Sequence, residues 1–172
     1  MPVAVAILPA LTVLAVTFAS VLPWGIHLSM EFRFLLPLVP YMLIHAWVMD
    51  RPRLMPEWFV FAIGILVDVL THGPLGYWAL VYLVGFAGAV LARNVARGGA
   101  MPRWASLAAT LIVLGVVQWA VMSGFMLRRA DWRPIAIATC VAIGCYPIIA
   151  LLLTPLLRIG ARRENPTLAR GG

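Results

Sequence analysis

Asp68 is the residue whose type and surroundings most directly suggest chemistry, because it is the one acid embedded in an apolar run of this chain. An ionisable side chain inside an apolar helix is costly, and such residues serve ion pathways, proton relays or contacts between helices. Three roles therefore stay open for Asp68: hydrogen bonding that locks helices together, ion transport or catalysis, and direct contact with a partner. We favour the first.

Catalysis by Asp68 would need a second carboxylate, so that one group acts as the base while the other acts as the acid. Asp131 is the candidate, in a loop between arginines on the same predicted side of the membrane. We interpret Asp131 as an ordinary interfacial acid. An intramembrane hydrolase stays open only if folding brings Asp68 and Asp131 together, and we predict no catalytic residue and no enzyme.

The histidines and cysteines do not form a pattern typical of metal sites. His27, His45 and His72 fall in different segments without ligand-like spacing. Cys140 and Cys145 lie five apart in one apolar run, which turns them to different faces of a helix. We predict no metal site, no disulfide and no cofactor.

The composition places these residues in a membrane protein. The chain has 172 residues, of which 63% are hydrophobic and 11% charged, and its mean hydropathy is +0.99. Such values exclude a water-soluble domain. The net charge of +7 comes from arginines between apolar runs, which predicts topology determinants and headgroup anchors and excludes nucleic-acid binding.

About six spans of roughly 20 residues fit into a chain of this length. We predict an all-α, polytopic inner-membrane protein with one six-helix bundle over residues 1–157 and a basic, disordered cytoplasmic tail over residues 158–172. Pro37 and Pro40 predict that the second span is kinked or partly re-entrant. The expected spans are 3–24, 34–49, 57–71, 74–92, 104–127 and 134–157.

The distribution of arginine predicts the orientation. Most arginines lie in the second loop, the fourth loop and the tail. The positive-inside rule then places both termini in the cytoplasm and the turn at residues 72–76 outside.

The third span carries one polar and small face. Steps of three and four residues join Glu57, Phe61, Gly64, Asp68 and His72 on it. We expect this face to point into the bundle, with Asp68 either neutral and hydrogen-bonded to Gln118 or ionised and held by His72.

A tight turn follows this face. Pro74 is expected to start the fourth helix, while Gly73 and Gly76 allow the chain to reverse and the helices to approach closely. The segment from Arg51 to Gly76 therefore organises the predicted bundle.

These residues resemble the rod shape-determining protein MreD family of bacterial cell-wall elongation. His72 departs from the family, which commonly has glycine four residues after the aspartate. The resemblance extends to the six-span layout and the short basic tail. Its motif residues are Arg51-Pro52, Pro56, Phe61, Gly64, Asp68-Val69-Leu70, Gly73-Pro74-Leu75-Gly76 and, in the last span, Tyr146-Pro147.

The resemblance implies a non-enzymatic membrane scaffold that controls rod cell shape. Its partners would be MreC, the MreB filament directly or through MreC, the glycosyltransferase RodA and its class B penicillin-binding transpeptidase. It implies a fold similar to the substrate-binding subunits of energy-coupling-factor transporters, with a pocket opening outward. The structural or partner-binding residues would be Arg51, Pro52, Gly64, Asp68, His72, Gly73, Pro74 and Gly76.

A second hypothesis is a small-molecule-binding subunit of a membrane transporter. In that case the small residues of the first span, such as Ala15 and Ala19, would dock a coupling subunit. The pocket would then hold a vitamin-like ligand.

Overall fold

The computed structural model describes residues 3–21, 29–93, 99–127 and 129–164, and every regular element among them is helical. A single 3-10 turn, Pro52–Leu54, separates the second and third helices. The six α-helices are α1 (Val3–Val21), α2 (Met30–Asp50), α3 (Glu57–Thr71), α4 (Tyr77–Arg93), α5 (Ala100–Met126) and α6 (Arg133–Glu164).

Three helices are long and apolar enough to cross a membrane, namely Met30–Asp50, Ala100–Phe125 and Arg133–Leu151. Two shorter apolar helices, Ile7–Val21 and Tyr77–Arg93, accompany them in the described chain. The predicted all-helical class is therefore confirmed, and the apolar helices are consistent in length and composition with the predicted membrane protein.

α2 occupies the centre of the bundle and packs against α1, α4 and α6. In the most apolar 18-residue stretch of α2, 67% of the residues are buried. The corresponding share is 28% in α5 and in α6. The organising helix is thus α2, whereas the sequence had suggested the third span. The expected start at residue 34 was also wrong, because α2 is one continuous helix from Met30 that contains both Pro37 and Pro40.

Tyrosine hydroxyls on facing helices hold the proline-containing part of α2. The Tyr82 hydroxyl of α4 donates to the Pro37 carbonyl at 2.5 Å, and the Tyr41 hydroxyl of α2 donates to the Gly85 carbonyl at 3.0 Å. A side-chain methyl at position 85 would lie 2.7 Å from the Tyr41 Cζ atom. Glycine at this position therefore lets α4 pack directly on the tyrosine ring.

A tryptophan replaces a hydrogen bond that Pro147 of α6 cannot make. Pro147 has no amide hydrogen, so the Ile143 carbonyl loses its usual partner within the helix. The Trp104 indole N–H of α5 donates to that carbonyl at 3.2 Å. Since a buried carbonyl without a partner is costly, this bond stabilises the contact of α5 with α6.

The last helix is longer than the predicted span 134–157. α6 continues past residue 157 as far as Glu164. Residues 165–172, the rest of the predicted tail, lie outside the described residues.

Candidate functional site: the hairpin of α3 and α4

Asp68 is fully buried near the end of α3, and its carboxylate accepts two hydrogen bonds from the start of the next helix. The Gly76 amide donates to Oδ2 and the Trp78 amide donates to Oδ1, both at 2.8 Å. The first N–H groups of a helix have no partner within it, and a carboxylate also interacts favourably with the helix dipole. Asp68 therefore caps α4 from the neighbouring helix.

The predicted partners of Asp68 were wrong. Neither Gln118 nor His72 is bonded to it, and the donors to its two carboxylate oxygens are the backbone amides of Gly76 and Trp78. Gln118 is buried, and neither its amide nitrogen nor its amide oxygen has a hydrogen-bond partner among the described residues. From the sequence we considered Gln118 only as a partner of Asp68 and did not predict a buried amide without a partner. The position of Gln118 in an apolar run was the available signal.

α3 ends in a Schellman motif, the arrangement in which a left-handed residue closes a helix. The Gly73 amide donates to the Asp68 carbonyl at 3.1 Å and the His72 amide to the Val69 carbonyl at 3.3 Å. His72 takes the left-handed position, with φ of 54°. Glycine is favoured there because it has no Cβ. The residue at which this chain departs from the MreD pattern thus occupies the strained position.

Gly64 permits the close approach of the two helices. A side-chain methyl at this position would lie 2.7 Å from the backbone nitrogen of Ala79 and closer still to its Cα atom. Such a contact is with backbone, so it cannot be relieved by moving a side chain. Gly64 and Asp68 lie one helical turn apart on the same face of α3. Gly64 therefore sets the distance between the two helices, and Asp68 provides the hydrogen bonds that hold them together.

The turn between the helices needs glycine at its last position. Gly76 has φ of 94°, which is a conformation that other residues rarely adopt. Pro74 does not start the fourth helix as expected. It lies in the turn, where its carbonyl accepts the Tyr77 amide at 3.2 Å, and α4 begins at Tyr77. Pro74 and Leu75 are both exposed at this tip of the molecule.

Arg51 and Pro52 lie at the other end of α3 from Asp68. The Arg51 amide donates to the Trp47 carbonyl at 2.6 Å and closes α2, and Pro52 opens the 3-10 turn. A helix of 15 residues separates this end from the Asp68 end, about 22 Å along its axis. The structure thus brings Gly64, Asp68, His72, Gly73, Pro74 and Gly76 together but not Arg51 and Pro52.

The predicted polar face is interior only in its middle. Gly64 and Asp68 are buried, whereas Glu57, Phe61 and His72 are exposed. The prediction that the whole face points into the bundle was therefore wrong at both ends.

Among the described residues, Asp131 and Asp68 have different hydrogen-bonding partners. Asp131 is exposed, and its Oδ1 accepts the Arg133 amide at 3.0 Å at the start of α6. The loop that carries it is tied to α5, where the Trp119 indole donates to the Ala130 carbonyl at 3.0 Å. The pair of cooperating acids that a hydrolase would need is not assembled by these contacts.

The part of the chain that the structure describes contains no group of three or more metal-ligating side chains. Cys140 and Cys145 are both exposed as free thiols. His45 is buried in α2 with its Nε2 atom 3.3 Å from the Ser106 hydroxyl. His27 lies outside the described residues.

A pocket of about 720 Å³ opens between α2, α5 and α6. Asp50 and Arg103 line it, and their side chains form an ion pair at 2.8 Å. It lies where α2 ends and α5 begins, which is the end carrying the predicted cytoplasmic loops. The expectation from the family resemblance was a pocket on the opposite side.

Comparison of the chain with protein-family models, with curated proteins and with solved structures finds no match.

Proposed function

We propose that the protein is a non-enzymatic scaffold of the bacterial cell-wall elongation machinery, of the MreD type, that helps to control rod cell shape. In this proposal it crosses the inner membrane six times with both termini in the cytoplasm. It binds MreC, and through MreC or directly it associates with the MreB filament and with RodA and its transpeptidase.

The observation that carries the proposal is the state of the Asp68 carboxylate. Both of its oxygens accept backbone amides, and the side chain is fully buried. An acid that served proton transfer would need at least one oxygen open to substrate, water or a second acid. Asp68 instead fixes a helix hairpin, as expected of a residue whose task is to hold the shape of a binding surface.

The hairpin offers a rigid, exposed tip for a partner. The exposed Leu75 has 72% of its surface accessible, while the buried Asp68 and the closely packed Gly64 fix the helices below it. A rigid apolar residue on a short turn loses little conformational entropy on binding. We propose that MreC contacts this tip on the outer side of the membrane.

The pocket between α2, α5 and α6 favours the second candidate, a subunit that binds a vitamin-like molecule for a transporter. Its volume of about 720 Å³ lies in the range of small-molecule sites. The exposed Ala15 and Ala19 of α1 would form the docking face for the coupling subunit.

A complementation experiment tests the scaffold proposal. Cells of the source bacterium that lack the chromosomal gene would express the wild-type chain, Leu75→Asp or Leu80→Asp at matched membrane levels. Leu80 is an exposed leucine of α4 that lies outside the turn at residues 72–76. We expect only the wild-type chain and Leu80→Asp to restore rod shape. Equal rescue by Leu75→Asp would exclude the tip as the essential contact, and normal shape without the gene would exclude the scaffold role.

A further inference from the structure

We propose that the pocket between α2, α5 and α6 binds one membrane phospholipid, with an acyl chain inside the pocket and the phosphate beside Arg103. This inference concerns a different part of the molecule from the hairpin and does not depend on the scaffold role.

The walls of the pocket suit an acyl chain. They are mainly apolar and include Met49 of α2, Met101 and Trp104 of α5, and Pro147 and Leu151 of α6. The volume of about 720 Å³ is large enough for one extended hydrocarbon chain. The acyl chain of a membrane lipid already lies in hydrocarbon, so the apolar walls replace its lipid contacts and the headgroup contacts supply the preference for the pocket.

The pocket lies at the depth of the lipid headgroups. Asp50 is the last residue of α2, and Arg103 lies in the first turn of α5. Both helices are among those long enough to cross the bilayer, so their ends reach the membrane surface. A lipid with its tail in the pocket would therefore have its phosphate level with these two charged side chains.

The charges at the mouth can hold a phosphate. The Arg103 side chain is 43% exposed while it pairs with Asp50, and a guanidinium has five N–H donors, so it retains donors for a second anion. Gly99 precedes α5, lines the same pocket and gives the helix no side-chain cap. Backbone amides at the start of a helix favour the binding of phosphate.

Asp50 sets the kind of headgroup. The Asp50 side chain is 23% exposed at the mouth of the pocket. Its carboxylate would lie next to the headgroup substituent that is esterified to the lipid phosphate. A carboxylate attracts an ammonium group and repels a second anion. The arrangement therefore fits phosphatidylethanolamine, with its phosphate on Arg103 and its ammonium on Asp50, better than phosphatidylglycerol.

Two tryptophan variants of the full-length chain test whether lipid occupies the pocket. Ala100 lines the pocket and is exposed, so Ala100→Trp should fill the mouth without disturbing the core. Ala105 is also exposed on α5 and does not line the pocket, so Ala105→Trp is the matched control. Each protein is purified in mild detergent, its thermal unfolding is checked, and its bound lipid is extracted and counted by mass spectrometry.

We expect wild type and Ala105→Trp to retain one phosphatidylethanolamine per chain and Ala100→Trp to retain at least about tenfold less. Equal amounts in the two variants would mean ordinary surrounding lipid and would overturn the proposal. A wild-type chain without bound lipid, or with a molecule other than a phospholipid, would also overturn it.

Two variants that remove a charge, Arg103→Gln and Asp50→Asn, test the proposed headgroup contacts. Neither substitution is intended to change the shape of the pocket. Native mass spectrometry compares binding of phosphatidylethanolamine and phosphatidylglycerol added to delipidated protein. Arg103→Gln should weaken both by about tenfold or more, because it removes charged hydrogen bonds to the phosphate. Asp50→Asn should abolish the preference for ethanolamine. Unchanged affinity in Arg103→Gln would refute the proposed phosphate position.

Discussion

Replacing Asp68 with leucine removes the acceptor for the Gly76 and Trp78 amides, and we expect this to destabilise the hairpin of α3 and α4 strongly. Both hydrogen bonds measure 2.8 Å, and the carboxylate is fully buried. A buried donor left without a partner costs about 1–3 kcal/mol. Two such donors give about 2–6 kcal/mol for Asp68→Leu.

Asparagine at position 68 should have an intermediate effect. Its amide oxygen can accept one of the two backbone N–H groups, but its NH₂ group would face the other donor. The expected cost is that of one lost bond, about 1–3 kcal/mol. This differs from the simple expectation that an uncharged hydrogen-bonding residue would replace Asp68 without loss.

The assay is reversible unfolding of the purified chain in mixed micelles, followed by circular dichroism. Asp131→Asn is the matched control, since it makes the same chemical change at an exposed acid and should leave the unfolding free energy unchanged. Wild type should be the most stable, Asp68→Asn intermediate and Asp68→Leu the least stable. If Asp68→Leu costs less than about 1 kcal/mol, the capping role assigned to the carboxylate is wrong.

Three further substitutions test the packing in the same assay. His72→Gly should stabilise the chain by about 0.5–1 kcal/mol, because it relieves a left-handed residue at φ of 54°; a loss of stability would contradict the Schellman geometry. Gly64→Ala should cost about 1–3 kcal/mol because its methyl meets the backbone of Ala79, whereas Gly124→Ala, with nothing within 4 Å, should cost no stability. Trp104→Phe should cost about 1 kcal/mol because it leaves a carbonyl of α6 unpaired, and no change would exclude that hydrogen bond as a stabilising contact.

The third helix was predictable to the residue, because its boundary signals are local. Pro56 and Glu57 mark the start of a helix, and the sequence from His72 to Pro74 cannot continue one. The observed helix, Glu57–Thr71, has the predicted bounds. Hydrophobic runs likewise predicted the other helices, although five of their ten ends differ from the predicted ones by three or more residues.

The central position of α2 was not predictable in this way. Two prolines argued for a broken or re-entrant segment, yet α2 is continuous, and a tyrosine of α4 bonds the Pro37 carbonyl. Such support comes from a residue 45 positions away along the chain. No local pattern indicates it, because it depends on which helix packs beside α2.

The partners of Asp68 were missed for a different reason. We expected a side chain to bond the buried acid, and Gln118 and His72 were the candidates. The actual donors are backbone amides at the start of the next helix. Every residue except proline has such an amide, so the residue types do not indicate which amides will bond the acid. The short turn to Gly76 was the available signal, since it brings the start of α4 within reach of the end of α3.

The most direct test of the proposed scaffold role is identification of the chains that co-purify with the full-length protein from its own membrane in mild detergent. We predict that MreC is recovered in near-stoichiometric amount with wild type and with Leu80→Asp, and that Leu75→Asp loses it while remaining folded. Recovery of folded wild-type protein without MreC, or with the coupling subunits of a transporter in its place, would contradict the account.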